Sequence, residues 1–270
     1  MGKIAIIGAG NIGLALANGL VKAGKYAAGD VIITRRNAAA LEELNAQGYV
    51  ATADNSVALA SADVVVLAVL PQQLDRLLDE IRDSVDVNRH LLISVISGAE
   101  TKAIRSRLGQ DVQVVRAMPN TAIAIGESMT TIASESADKI QLELVKELFD
   151  SVGETLIINE ELITSATALC ACGIAFFLRS VRAASQGGVE IGFHAEDALK
   201  MAAQTAKGAA ALLLANGTHP EHEIDKVTSP KGCTIAGLNE MEHQGFSSAM
   251  IKGIKLSAVK AGGLYSSGSS

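Results

Sequence analysis

The 270-residue chain has no tryptophan, only four prolines and three cysteines, and few aromatic residues of any kind, 3% in all. With so little aromatic volume, a core has to be built from alanine, valine, isoleucine and leucine. Three cysteines are an odd number in a chain this long. They imply no disulfide framework and fit a reduced, cytosolic protein. Cys170 and Cys172 are one residue apart and lack a second ligand pair, so they read as small buried side chains and no metal is expected. Positive charge is scarce as well: 23 Lys and Arg against 29 Asp and Glu leave a net charge of −6. That balance does not suit a nucleic-acid surface. The apolar stretches look interrupted before a membrane-spanning length, so no membrane partner is expected. No basic lead or cleavage site precedes the strand-like Lys3-Ile4-Ala5-Ile6-Ile7, which argues against a secretory signal and for a cytoplasmic protein.

What the chain has is apolar aliphatic sequence. Hydrophobic residues are 49% and charged residues 19%, which excludes a disordered chain. The first half alternates short apolar runs with amphipathic ones. Strands are expected at 3–8, 30–34, 63–69, 90–96, 113–117, 129–133 and 154–158. Helical spacing is found at 11–23, 38–47, 74–82, 101–108 and 137–151. Runs such as Val64-Val65-Val66-Leu67 are apolar at every position, as in a parallel sheet covered on both faces. The alternation predicts an α/β, Rossmann-like doubly wound sheet over residues 1–159. Beyond Asn159 the pattern is helical: 162–186, 195–216, 234–245 and 247–261, with Gly187-Gly188 and Gly245 as helix ends. An all-helical domain is therefore expected at 160–264, and a mobile tail at 265–270. Alanine-rich stretches such as Gly208-Ala209-Ala210-Ala211 suit close helix packing, within one copy or between two.

Gly8-Ala9-Gly10-Asn11-Ile12-Gly13 follows the first strand and opens a helix. In this setting the first glycine makes the tight turn and the second lets backbone approach a pyrophosphate. The third, Gly13, brings helix and strand together. A carboxylate at the end of the second strand would bond a ribose 2′-hydroxyl; the chain has Thr34-Arg35-Arg36 there instead. A hydroxyl and two guanidinium groups suit a 2′-phosphate, so NADPH is the expected cofactor. Arginine also stacks on adenine without reading the phosphate, which leaves NADH as a second cofactor. Ala68-Val69-Leu70-Pro71 and Arg116-Ala117-Met118-Pro119-Asn120-Thr121 are further loops at strand C-termini, where ligands bind in such sheets. Asn120 reads either as an amide offered to nicotinamide or substrate, or as the side chain satisfying a local turn.

Near the far end lies Val227-Thr228-Ser229-Pro230-Lys231-Gly232-Cys233-Thr234-Ile235-Ala236-Gly237-Leu238, a loop turning into a helix. The first amides of a helix have no partner within it and carry partial positive charge. A carboxylate held there would receive backbone N–H groups and the hydroxyls of Ser229 and Thr234. Cys233 reads as a small spacer offering its N–H, and Lys231 as either an added cation or a surface lysine in a turn. His90, His194 and His243 are isolated, and bland surface or helix-end roles suit them better than catalysis.

These residues resemble the pyrroline-5-carboxylate reductase family over nearly the whole chain. The segment 227–238 is similar to the family's most specific motif, and Met118-Pro119-Asn120-Thr121, Asp54-Asn55 and the amino-terminal glycines agree. The resemblance implies a Rossmann domain with a helical dimerisation domain, dimers often assembled into a decamer, and an active site between the two domains and across the dimer. It implies that Ser229, Lys231, Gly232, Cys233 and Thr234 hold the substrate's carboxylate and ring nitrogen, Thr234 bonding the nitrogen as the catalytic residue. It also implies Asn55 near the adenosine ribose, with Ala68, Val69, Leu70 and Pro71 along the cofactor. Met118 and Asn120 complete that set with Gly8, Gly10, Asn11, Ile12, Gly13, Thr34, Arg35 and Arg36. The chain departs from the family in having Leu70 where a lysine is usual, Cys170-Ala171-Cys172-Gly173-Ile174-Ala175 in place of a Ser-Gly-Ser-Gly-Pro-Ala run, and Lys231 where a glycine is usual. These departures bear on substrate choice and cofactor preference more than on the fold.

The implied reaction is hydride transfer to the C=N carbon of 1-pyrroline-5-carboxylate, giving proline. A protonated imine is already an electrophile, and the loop accordingly holds no His, Asp or Glu. Two alternatives stand beside it. One is another NADP-dependent reductase, of a small cyclic imine or a 2-ketoacid; the ketoacid and hydroxyacid enzymes want a catalytic lysine, and none lies around Leu169–Phe177. The other is a silent NADP-binding sensor, which has no need of a carboxylate site.

Overall fold

The computed structural model describes residues 2–265. Eight strands form one sheet in the order β3-β2-β1-β4-β5-β6-β7-β8. They are β1 Ile4–Ile7, β2 Val31–Thr34, β3 Val50–Thr52, β4 Val64–Leu67, β5 Leu91–Ser94, β6 Gln113–Met118, β7 Ser128–Ala133 and β8 Gly153–Ile157. From β3 to β6 every neighbouring pair is parallel, with Ile4 opposite both Val31 and Val64. The sheet is mixed, because β7 runs antiparallel to β6, with Ala117 opposite Ile132. The helices of this half are α1 Asn11–Lys22, α2 Ala38–Ala46, α3 Asn55–Ala60, α4 Leu74–Ile81, α5 Thr101–Leu108 and α6 Lys139–Asp150.

Why the strands are apolar at every position is plain from β1. Ile4 and Ile6 enter one packed layer with Leu16, Ile33, Val66 and Phe149. Ala5 and Ile7 enter the other, with Leu59, Leu74, Leu78 and Ile104. Alternate side chains of a strand point to opposite faces, and both faces are covered.

Two short elements were not expected. β3 has three residues, too few for a visible period, and α3 has six. α3 is fixed by its cap, Asp54, which accepts the backbone N–H groups of Ser56 and Val57 at 2.8 and 3.3 Å.

The chain forms two compact units, divided otherwise than at the expected 159/160 boundary. The front unit comprises residues up to Cys172 and returns at Leu256; the back unit is Gly173–Lys255. Polar contacts of Glu160 and Tyr265 tie the flanking segments to the front, and a close approach of Gly262 to Thr164 joins one flanking segment to the other. The Glu160 carboxylate accepts the Thr101 backbone N–H at 2.7 Å and the Thr101 hydroxyl at 2.6 Å, with Arg116 at 3.4 Å. A Cβ on Gly262 would touch Thr164 at 3.6 Å. Tyr265, counted in the sequence with a mobile tail, donates its hydroxyl to Asp75 at 2.6 Å, while Arg107 holds the other Asp75 oxygen at 2.7 Å. Burial, then Asp75, push the Tyr265 phenol up to about 12. Residues 266–270 of the expected tail lie outside the described residues.

The long helical run Glu160–Glu190 corrects two expectations. It starts with a 3-10 turn at Glu160–Leu162, continues as α7, Ile163–Ala166, passes through a π-type turn at Thr167–Ala171 and goes on as α8, Gly173–Glu190. By length and composition it could cross a membrane: 31 residues, mean hydropathy 1.8. No charged residue falls between Glu161 and Arg179, so the apolar stretch is not interrupted as expected. Nor do Gly187 and Gly188 end it. A Cβ on Gly188 would meet the Cβ of Ala198 at 3.0 Å, so this glycine serves the close approach of α8 and α9, and the turn comes at Gly192, where φ is +110°.

The back unit continues with α9 Ala195–Asn216, α10 Pro220–Lys226, α11 Cys233–His243 and the start of α12 Phe246–Gly262. The short α10, opened by Pro220 behind the cap His219, was not expected. Gly245 does mark a helix end, at φ +78°.

Candidate functional site: a nucleotide crevice and a helix-start loop

The glycine loop between β1 and α1 has the shape the sequence asks for. Gly8 sits at φ +98°, and a Cβ there would lie 2.7 Å from the Ala68 carbonyl oxygen. Both the turn and the contact with β4's loop require glycine. A Cβ on Gly13 would strike the Gly8 carbonyl at 2.3 Å; Gly13 is buried behind the loop and closes helix onto strand. Gly10 is the reverse: a Cβ would meet nothing within 4 Å, because it would project into open space where a ligand could approach. Gly10 caps α1 with no side-chain bond, so the first amides of α1 face that space unsatisfied.

That space is a cavity of about 790 Å³. It is lined by Gly8, Gly10, Asn11, Ile12, Ala68, Val69, Leu70 and Pro71, and also by Thr34, Arg35, Arg36 and Asn55. Twelve of the expected cofactor residues are thus brought together. Thr34 is only 4% exposed and accepts the Gly8 N–H on its hydroxyl at 3.2 Å, so part of its work is to pin the glycine loop. Asn55 donates its amide to the Glu80 carboxylate at 2.8 Å. Sequence reading missed Arg76, Glu80 and Ser97, which also line the cavity. The i, i+4 spacing of the first two puts them on one face of α4, but nothing in the sequence tells whether that face meets solvent or a ligand.

Met118 and Asn120 lie elsewhere. They line a second cavity of about 350 Å³ with Pro119, Thr167, Cys172 and Lys260. Ile12, Val95 and Ser97 line both cavities, so the two form one crevice at the C-terminal ends of the parallel strands. Asn120 is largely spent inside the protein. Its carbonyl accepts Ala122 N–H at 3.0 Å and its amide donates to the Cys170 carbonyl at 3.3 Å. The local-turn reading describes this geometry, and the turn joins the loop to the π-type segment. Just before the loop, Arg116 and Glu160 form a pair 3% and 8% exposed. Desolvation holds the Arg116 guanidinium below its ordinary pKa against the opposing pull of Glu160.

In the back unit, Ser229 to Thr234 form a tight turn into α11. Gly232 donates its N–H to the Ser229 carbonyl at 2.9 Å. A Cβ on Gly232 would lie 2.5 Å from the Ser229 hydroxyl oxygen, so only glycine keeps that side chain at the helix start. Lys231 sits at φ +57°, the left-handed conformation that glycine adopts freely, which accounts for a glycine being usual there. The helix begins at Cys233, one residue earlier than expected, and its cap Gly232 makes no side-chain bond. The amides of the first turn are therefore available to an anion.

A doubly wound sheet with a glycine-built crevice, on one chain with an all-helical unit, is the architecture of the nicotinamide-dinucleotide oxidoreductase class. Residues 160–264 match the family model for pyrroline-5-carboxylate reductase dimerisation, and residues 3–98 match that for NADP oxidoreductase, coenzyme F420-dependent. The chain is 53% identical over 274 residues to pyrroline-5-carboxylate reductase 1 of Dictyostelium discoideum, covering 97% of this chain and half the length of that relative. It is 48% identical to reductase 2 of the same organism, covering 96% of this chain and 92% of that one. In fold it matches a Plasmodium falciparum pyrroline carboxylate reductase solved with NADP bound, with a TM-score of 0.88, 23% identity and 98% coverage of both chains. The chain belongs to the pyrroline-5-carboxylate reductase family.

Proposed function

We propose that the protein reduces the C=N bond of 1-pyrroline-5-carboxylate to give proline, the last step of proline biosynthesis, with NADPH as the preferred reductant. The carrying observation is the uncapped start of α11, with Ser229 held against Gly232 and Lys231 in a left-handed turn. It offers a small acid a set of amides and a hydroxyl. The crevice residues fit a dinucleotide: Gly10 leaves room for a pyrophosphate, and Arg35 and Arg36 suit a 2′-phosphate. When bound, NADPH supplies the hydride that becomes the new C–H bond.

In this reading the chain's own groups bind and orient. Cys233 and Thr234 N–H, with the Ser229 hydroxyl, hold the substrate carboxylate, and Lys231 adds a cation. The Thr234 hydroxyl accepts from the ring N–H and fixes which face of the imine is presented. The iminium proton stays on nitrogen and becomes an amine proton, so no side chain has to donate one. Positioning supplies most of the acceleration. The absence of lysine from Leu169–Phe177 argues against a hydroxyacid dehydrogenase.

The homo-oligomer is read as a dimer, the unit from which a decamer can be built, in the cytoplasm, without a nucleic-acid or membrane partner. Its support is the match of 160–264 to a dimerisation region, the same span that we read as the helical domain. The apolar run 160–190 then covers itself against another copy.

The test is a steady-state assay with 1-pyrroline-5-carboxylate. Thr234→Ala is expected to lower kcat about 100-fold, the scale for losing one positioned hydrogen bond at a reacting centre. NADPH binding should be nearly unchanged. A parent inactive on this imine but active on a 2-ketoacid would overturn the reading.

A further inference from the structure

We propose that Arg76 and Glu80 of α4 set the choice between phosphorylated and unphosphorylated dinucleotide, with Asn55 as the positioning residue for Glu80. The inference rests on the cofactor reading above and adds residues that neither glycine motif nor strand end reveals.

The observation behind it is which arginines have partners. Arg82, Arg89, Arg107 and Arg116 are each ion-paired with a carboxylate. Among the described residues, Arg35, Arg36 and Arg76 make no ion pair; Arg105, Arg179 and Arg182 make none either but line neither cavity, so what sets the three apart is that they share the larger cavity. Glu80 is four residues from Arg76 on the same helix, a spacing at which such a pair can form. It is bonded instead to a neutral amide, Asn55 Nδ2, at 2.8 Å. Three guanidinium groups and one carboxylate leave that cavity with a formal charge of +2 (three minus one), in a chain whose total is −6.

The two charges have opposite uses. A phosphate monoester carries about −1.5 to −2 near neutrality, and three open guanidinium groups match it. A free carboxylate in the same place repels that phosphate but accepts a hydrogen bond from a bare 2′-hydroxyl. Asn55 ties Glu80 down at the first residue of α3, which keeps the carboxylate from Arg76 and leaves the guanidinium open. Arg76 thereby favours the phosphorylated dinucleotide, and Glu80 is the counterweight through which the unphosphorylated one is still bound.

Calorimetric titration with NADP⁺ and with NAD⁺, no substrate present, tests this apart from the imine chemistry. Arg76→Ala should weaken NADP⁺ about tenfold, the order of one charge-assisted contact, and NAD⁺ less than about twofold. Glu80→Gln should move both the other way, tightening NADP⁺ and weakening NAD⁺, a pattern that damage to the fold cannot produce. Asn55→Ala should weaken NADP⁺ clearly more in the parent than in the Glu80→Gln background, where only its own direct contact with the nucleotide is lost. Equal losses for both nucleotides in Arg76→Ala, or an Asn55→Ala loss of NADP⁺ affinity as large without the carboxylate as with it, would overturn the proposal. A parent that binds neither nucleotide would overturn the cofactor reading and this inference with it.

Discussion

In the front unit the side chains of β1 alternate between two packed layers, and Phe149, Leu67 and Ile33 are wholly out of water. In the back unit α8 and α9 run alongside one another, yet Gly173 and Ala198 are the only buried residues of α8 to α11. Phe177 is 64% exposed and Leu214 84%. Both units are rich in aliphatic sequence, so composition does not separate them. The difference lies in geometry. A sheet covered on two faces hides a continuous apolar run inside one chain, whereas a pair of helices offers each other one stripe and leaves the rest in water. The front unit's stability is internal; the back unit's depends on being covered, in keeping with its membership of a dimerisation family.

The largest effect that would sharpen this contrast is in the front. Phe149→Ala should cost about 3–5 kcal/mol, the usual price of emptying a buried aromatic site. The difference from the parent should be the same at low and high protein concentration in urea unfolding. A loss that shrinks as concentration rises would mean that the front also leans on another copy. The back unit should behave in the opposite way. Phe177→Glu removes about 2–3 kcal/mol of apolar burial per copy in any interface that covers it. It should shift the protein toward monomer in sedimentation at micromolar concentration, with little effect on NADP⁺ binding. An unchanged sedimentation coefficient would show that this face is not what the second copy covers.

The same contrast explains what could be read from sequence. The order of strands and helices in the front was legible because continuous apolar runs alternate there with runs of helical period, and most are bounded by turn residues. β3 and α3 were not, since three and six residues are too short for a period, and α3 depends on the Asp54 cap. The reversal of β7 was hidden because strand direction is set by the connection through Thr121–Ile125, not by the apolar pattern. In the back, Gly187-Gly188 was misread as a stop because glycine in a helix has two uses, and only packing against Ala198 shows which applies. At the site, the glycine loop and Thr34-Arg35-Arg36 were legible from local chemistry. Arg76 and Glu80 were not, because an exposed arginine and glutamate on an amphipathic helix look the same whether they face solvent or a ligand.

His90 tests the front unit's self-sufficiency most gently. The sequence suggested a surface or helix-end role, but the ring is 3% exposed. Its Nδ1 accepts the Asp86 backbone N–H at 3.0 Å, which leaves Nε2 to donate to the Leu59 carbonyl at 3.1 Å. The neutral ring is satisfied at both nitrogens, and a proton on Nδ1 would face an N–H donor. Desolvation by burial lowers its pKa, aided by Arg89 and opposed by the Leu59 carbonyl, Asp86 and Asp63. The unfolded chain therefore takes up a proton at this residue before the folded one does. Its contribution is fully present above about pH 6.5, the free histidine value, and is lost as pH falls through the lower folded value. The urea midpoint of the parent should decline with acid over that window more steeply than that of His90→Gln, which cannot titrate. The substitution itself should cost about 1 kcal/mol at pH 8, where only a hydrogen bond is at stake. Parallel pH profiles would show that the ring is not held neutral by the front core.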